Sequence, residues 1–375
     1  MVPVRPSPRD ATGAAGAQAA RPTRASQSPR GQHLEARPPA SHGRDCTASG
    51  ALRKMRAASA AAGWGSANPL DRLRRSGHCQ VMRKPARVDV SLVHLRTRDG
   101  VWLDGVVAEP SRRRGTALIW VHGLGSVFSS GQALIQELSR RLNAAGLGYF
   151  KFNNRGHDVV AERGKYLAGA AFERFGQSVA DIRAMIAFAA ACGYGKVILA
   201  GHSTGANKVL HYAARVRDRR VIALILLGPV SDIAGEAKHA GARELRRRVA
   251  AAERIARRDP QALVPRAWGF WSARRYISLY RPGQDEDVFP YYRPSARWTA
   301  LRSVQLPIAA IIGSRDEYLD RPPQEVIDAL RRNAVRARSF SGVVLRGARH
   351  GFQKRERELA DVIVRWVRNP RATIS

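Results

Sequence analysis

An α/β protein with a mostly parallel central sheet, covered by helices on both faces, is the fold class this sequence predicts. Two observations carry that expectation. Short apolar runs of strand length alternate with longer helix-like runs from about residue 88 onward, the rhythm of buried parallel strands joined by crossover helices. One of those runs, ILAGHSTG (198–205), leads straight into a helix-like segment. It sets Ser203 between two glycines where a strand must turn into a helix.

The elements follow in order. VDVSLVHLRTRDGVWLDGVVAEP (88–110) has two alternating runs about Asp99-Gly100, a hairpin signal. TALIWV (116–121) is a buried strand with a helix expected near 131–145. GLGYFKFNN (146–154) is another, with a helix near 171–191. KVILAGH (196–202) precedes a helix from Thr204, and VIALILLG (221–228) follows it. PIAAIIG (307–313), GVVLRG (342–347) and a helix near 355–368 close the pattern. The rhythm breaks between 233 and 300. An Arg-rich helical run (243–258) is followed there by Trp268, Phe270, Trp271, Tyr276, Tyr280, Phe289, Tyr291 and Tyr292. The expected organisation is a core of 88–232 and 301–375, with 233–300 a helical cap inserted over one end of the sheet. Its aromatic residues chiefly form a small core of their own.

Residues 1–87 are Pro, Ala, Arg, Ser and Gly with few large apolar side chains. Such a segment cannot bury enough surface to offset its ordering entropy and is expected to be disordered. It has no apolar stretch of signal-peptide type. Its Arg/Ser richness fits an organellar transit peptide, or equally an over-extended gene start with Met55 or Met82 as the true beginning. The net charge is +34, from 64 Lys and Arg against 30 Asp and Glu. That excess is spread along the chain, and no run interleaves basic with aromatic residues as a single-strand platform would. The expectation is therefore weak affinity for anions or membrane surfaces and no dedicated nucleic-acid partner. No apolar run approaches the roughly 20 residues of a membrane span. The three cysteines show neither paired nor zinc-type spacing, which points to free thiols, a reducing compartment and a cytoplasmic protein.

A serine hydroxyl is a weak nucleophile, so it needs a base, and the base needs a carboxylate to orient it. Gly201 and Gly205 let strand and helix approach at the turn and hold Ser203 up at the carboxyl edge of the sheet. In the order Ser, Asp, His, the later strands supply Asp316 in PIAAIIGSRDEYLD and His350 in GVVLRGARHGF. Alone, Asp316 could be a turn or cap residue and His350 a surface-loop histidine. Together, each just past a late strand, they make the triad reading the one adopted. Asp232 is an alternative acid. The loop IWVHGLGSVFSS (119–130) supplies Gly123 and the Leu124 N–H, which with the Thr204 N–H would form an oxyanion hole. His202 is assigned a supporting place in the elbow. Asp285, Glu286 and Asp287 are read as a helix cap or as partners of the Arg-rich helix. Asn153, Asn154 and Arg155 are read as loop braces, and His157 with Asp158 as structural. No phosphate loop, cofactor fingerprint or metal set is present, so catalysis without cofactor or metal is expected.

These motifs resemble the α/β-hydrolase superfamily, and the resemblance spans about 88–368. FNNRGHD (152–158), GAAFERF (169–175), GHSTGANKVLHY (201–212), GPVSD (228–232), ARRYISLYRPGQDEDVF (273–289) and DEYLD (316–320) resemble the subfamily that includes fungal siderophore esterases. The resemblance implies a serine hydrolase with Ser203 as nucleophile, His350 as base and Asp316 as acid. Its substrate would be an ester, or a thioester or amide, of a small molecule, cleaved through an acyl-enzyme. The rate should rise with pH near neutrality as a histidine base loses its proton. An acyltransferase on the same fold, or a non-enzymatic small-molecule receptor, are the alternatives. Oligomeric state is not legible.

Overall fold

The computed structural model describes residues 87–370. The expectations for the basic tail, and for Cys46 and Cys79, lie outside the described residues. Cys192 is a free thiol.

The strands are β1 (Ser91–Arg96), β2 (Trp102–Ala108), β3 (Thr116–Val121), β4 (Gly148–Phe152), β7 (Lys196–His202), β8 (Val221–Leu227), β9 (Ile308–Gly313) and β10 (Phe340–Leu345), with a small hairpin of β5 (Ala161–Arg163) and β6 (Tyr166–Ala168). The eight long strands form one sheet in the order β1-β2-β4-β3-β7-β8-β9-β10. The β1–β2 and β2–β4 pairs are antiparallel and the others parallel. The expected hairpin closes at Arg96↔Trp102.

Side chains alternate across each central strand. Ile119, Leu199, Leu224 and Ala310 face one layer, while their neighbours Trp120, Ala200, Ile225 and Ile311 face the other. Both layers are apolar because both are covered. On the first lie α2 (Ser178–Ala191), α3 (Thr204–Val216) and α8 (Pro323–Asn333). On the second lie α1 (Gln132–Ala144) and α9 (Glu356–Arg368). A third cluster joins α4 (Asp232–Ala240), α5 (Ala242–Arg258) and α6 (Ala273–Tyr280) through Ile233, Leu245, Val249 and Tyr276. A short α7 (Thr299–Ser303) leads back to β9. Ser231 and Ser272 start α4 and α6 by accepting hydrogen bonds from Ala234 N–H and Arg275 N–H.

Two expectations are corrected, and two elements are added. The helix expected from 171 begins at Ser178, because residues 175–177 form a 3₁₀ turn. The β5–β6 hairpin and α8 were not foreseen. Glu286 does not serve the Arg-rich α5: its carboxylate is paired with Arg275 on α6, and both are buried. The α5 arginines use Glu244 and Glu236 instead. Among the aromatic residues, Trp268, Trp271, Tyr276 and Tyr280 join the third cluster, whereas Phe289 and Tyr291 pack into the main core. No helix of the described residues is long and apolar enough to cross a membrane.

Truncating a central strand should be costly, and truncating the edge should not. Ile225 is fully buried and Leu92 is 78% exposed. In urea unfolding, Ile225→Ala is expected to lose about 2–5 kcal/mol, and Leu92→Ala no more than about 0.5 kcal/mol. Equal losses would contradict the sheet order.

Candidate active site

The parallel register brings the carboxyl ends of β3, β7, β8, β9 and β10 to one edge: Val121 pairs with Gly201, His202 with Leu227 and Leu345 with Gly313. The loops that follow therefore meet, and they carry Gly123, Leu124, Ser203, Asp316 and His350. Ser203 sits in the turn between β7 and α3 with φ 57 and ψ −129. This is a region that costs a non-glycine residue about 1–3 kcal/mol and persists only where its surroundings enforce it. Enforcement comes from Ser203 N–H, which donates to Leu227 O at 2.8 Å, and from the lack of side chains at the turn. A Cβ on Gly201 would lie 2.2 Å from Gly205 O, and one on Gly205 2.2 Å from Val121 O. The loop after β3 presses on the serine: a Cβ on Gly123 would be 2.8 Å from Ser203 Cβ. Leu124 and Thr204 are the residues next to these contacts, and Thr204 begins α3.

His350 and Asp316 lie side by side. Both are buried, and His350 Nδ1 donates to Asp316 Oδ2 at 2.8 Å, which leaves Nε2 as the acceptor. Three neighbours were not read from the sequence. Glu317 Oε2 accepts from His350 N–H at 3.0 Å. The Tyr318 ring stands edge-on to the imidazole, centroids 4.6 Å apart. Gly228, with φ 53, lies against both side chains, since a Cβ there would be 2.9 Å from His350 Cε1. Residues 316–318 thus hold the histidine by carboxylate, backbone and ring. An exposed Glu and Tyr after an Asp carry no sequence signal of that role. His202 holds it from the other side, Nε2–H donating to His350 O at 2.9 Å. Burial, then the nearby His350, push His202 down to about 4.

Asp232, the alternative acid, lies at the first turn of α4, and no hydrogen bond among the described residues joins it to His350. Burial and the charge of Glu286 push its carboxyl up to about 7. His157 pairs with Asp158 in an exposed position and takes no part here.

Beneath the loops lies a chain of buried polar contacts. His122 Nδ1 donates to Gly123 O, and its Nε2 accepts from Asn154 N–H at 3.0 Å. Burial, then Lys208, hold His122 at about 3. Asn154 Oδ1 accepts from Lys208 Nζ at 3.1 Å, and Lys208 pairs with Glu173 at 2.6 Å. Glu173 lies 3.5 Å from Arg275, which is bonded to Glu286. Asn207 Nδ2 donates to Glu286 O. The expected braces also appear: Asn153 Oδ1 accepts from Phe128 N–H, and Arg155 bridges Asp99 and Asp181.

A mostly parallel eight-stranded sheet in this order, helices on both faces and a strained serine at the end of β7 define an α/β-hydrolase fold. The chain belongs to the family described as "Protein of unknown function (DUF1749)", whose model matches residues 111–369. Among solved structures it is similar to the siderophore hydrolase EstB from Aspergillus fumigatus, at 17% identity over 77% of this chain and 100% of that one, with a TM-score of 0.55. It is similar to DcsB in complex with its substrate analogue, at 16% identity over 76% and 99%, TM-score 0.55. It is also similar to Est1E from Butyrivibrio proteoclasticus, at 17% over 74% and 98%, TM-score 0.50. These likenesses are likenesses of fold. No curated protein sequence matches the chain.

His202 is kept neutral by the fold, so below about pH 6.5 the unfolded chain takes up a proton there that the folded chain refuses until about pH 4. Its contribution to stability is present above pH 6.5 and is lost as the pH falls toward 4. The urea midpoint of His202→Gln is expected to fall less between pH 6.5 and 4 than that of the parent chain. Parallel pH curves would contradict this.

Proposed function

We propose that this protein is a serine hydrolase that cleaves an ester, or a related thioester or amide, of a small molecule. The observation that carries the reading is the assembly at one sheet edge of the strained Ser203, the bonded His350–Asp316 pair and the Gly123 loop against the serine. That one of the similar solved structures is named a siderophore hydrolase supports hydrolysis of a small molecule.

In this mechanism His350 Nε2 takes the proton of Ser203 Oγ as the oxygen attacks the carbonyl carbon. The N–H groups of Leu124 and Thr204 receive the developing oxyanion. Asp316 keeps Nδ1 protonated and steadies the imidazolium. The proton passes from Nε2 to the leaving alcohol, an acyl-enzyme forms on Ser203, and water activated by the same imidazole releases the acid. Among the described residues the Ser203 hydroxyl makes no hydrogen bond, and such bonds close when substrate is seated. In this reading residues 233–300 serve as the cap and shape the acyl pocket. Glu286, paired with Arg275 inside that segment, links it to the helix that follows the serine, its backbone carbonyl accepting from Asn207 Nδ2.

The test is hydrolysis of p-nitrophenyl esters of short and long acyl chains by the full chain. Ser203→Ala and His350→Ala are each expected to lower kcat by about 10³-fold or more, and Asp316→Asn by a similar factor. Asp232→Asn should stay within the parent's order of magnitude. Full activity in Ser203→Ala, or a loss in Asp232→Asn matched by none in Asp316→Asn, would contradict the assignment.

A further inference from the structure

A cavity of about 220 Å³ lies beside the elbow, lined by Trp120, Tyr149, Lys151, His202, Ile135 and Phe352 among others. Neither Ser203 nor His350 lines it. Lys151 is 5% exposed, and among the described residues no carboxylate pairs with it. One of its three N–H donors goes to Ser130 O. Burial alone pushes it down to about 8. A buried cation without a counter-charge is expensive to keep, yet β4 places one in a cavity wall. Tyr149 stands two residues earlier, on the same face of the strand. It is 1% exposed, and its hydroxyl bonds no protein group among the described residues. The α1 helix begins at the same wall, at Gly131, with no side-chain cap and no acid in its first turn. A helix start of this kind favours negative charge. Trp120, Leu134, Ile135 and Phe352 supply apolar wall, and His122, Ser126, Ser130, His202 and Gln353 supply polar groups around it.

We propose that this cavity binds a small organic carboxylate, its anionic end on Lys151 and Tyr149 and its apolar body against Trp120, Ile135 and Phe352. The volume is below the roughly 300–1,000 Å³ of a drug-sized pocket, which limits the ligand to a short or single-ring acid. Two spare donors on Lys151 and one on Tyr149 match the acceptors of a carboxylate. The site lies next to His202, which bonds His350 O, and Phe352 of the His350 loop lines it, so its occupant would rest directly against that loop. The inference stands on the cavity alone and does not rest on the hydrolase reading.

Isothermal titration of the full chain with benzoate, and in parallel with inorganic phosphate, tests it. Benzoate is expected to bind. Lys151→Met should weaken binding by roughly 10- to 100-fold, the range of a hydrogen bond to a charged group. Tyr149→Phe should weaken it by roughly 2- to 10-fold, and it carries the test if Lys151→Met does not fold. Ser203→Ala should leave binding unchanged, which separates this site from the elbow. Absence of benzoate binding, binding of phosphate alone, binding indifferent to both Lys151→Met and Tyr149→Phe, or binding lost in Ser203→Ala would each overturn the proposal.

Discussion

Four buried charges, Lys208, Glu173, Arg275 and Glu286, are the constraint on which the candidate site depends. They alternate in sign along one chain of contacts, and their charges cancel. Burial pushes the Glu173 carboxyl up, but Lys208 and Arg275 outweigh it and hold it below the ordinary carboxylate range. Each ion alone would cost several kcal/mol to bury, and losing one partner of such a set costs about 3–5 kcal/mol. The four must therefore arrive together. They come from three places in the chain: the turn before α2, the helix after Ser203, and the 273–289 segment.

What that chain positions is the set of loops at the sheet edge. Lys208 lies five residues after Ser203, so its pairing fixes the helix that carries the serine. Through Asn154 the same lysine reaches His122, whose other ring nitrogen holds Gly123 O. The loop that presses on Ser203 and the helix behind it are thus anchored to one buried ammonium group. The His350 side is held differently, by short-range contacts from residues 316–318 and by His202. The site has one wall built from buried charge and one built from neighbouring backbone and rings.

Much of this was legible in the sequence because the signals are local. Strands such as TALIWV and VIALILL are apolar on both faces, and that pattern announces a covered parallel sheet. The glycines around Ser203 are a weak signal alone and become a more specific one once a buried strand precedes them and a helix follows. The contact between Asp316 and His350 could be anticipated because the fold brings the ends of β9 and β10 to one edge. The buried charge chain was not legible. Glu173, Lys208 and Arg275 look like ordinary charged residues in a chain rich in arginine, and only the packing of distant segments brings them together. Glu286 was read against the nearest basic helix, whereas burial selected Arg275, on α6. Lys151 and Tyr149 were hidden in the same way, as two residues of a strand whose alternation was read as core.

The central claim is that Ser203 is activated. The most direct measurement is labelling of the full chain with a fluorophosphonate, followed by mass spectrometry of the modified peptide. One adduct is expected, on Ser203, that Ser203→Ala and His350→Ala both lose. A folded protein that takes no label, or takes it on another serine while Ser203 stays free, would contradict it.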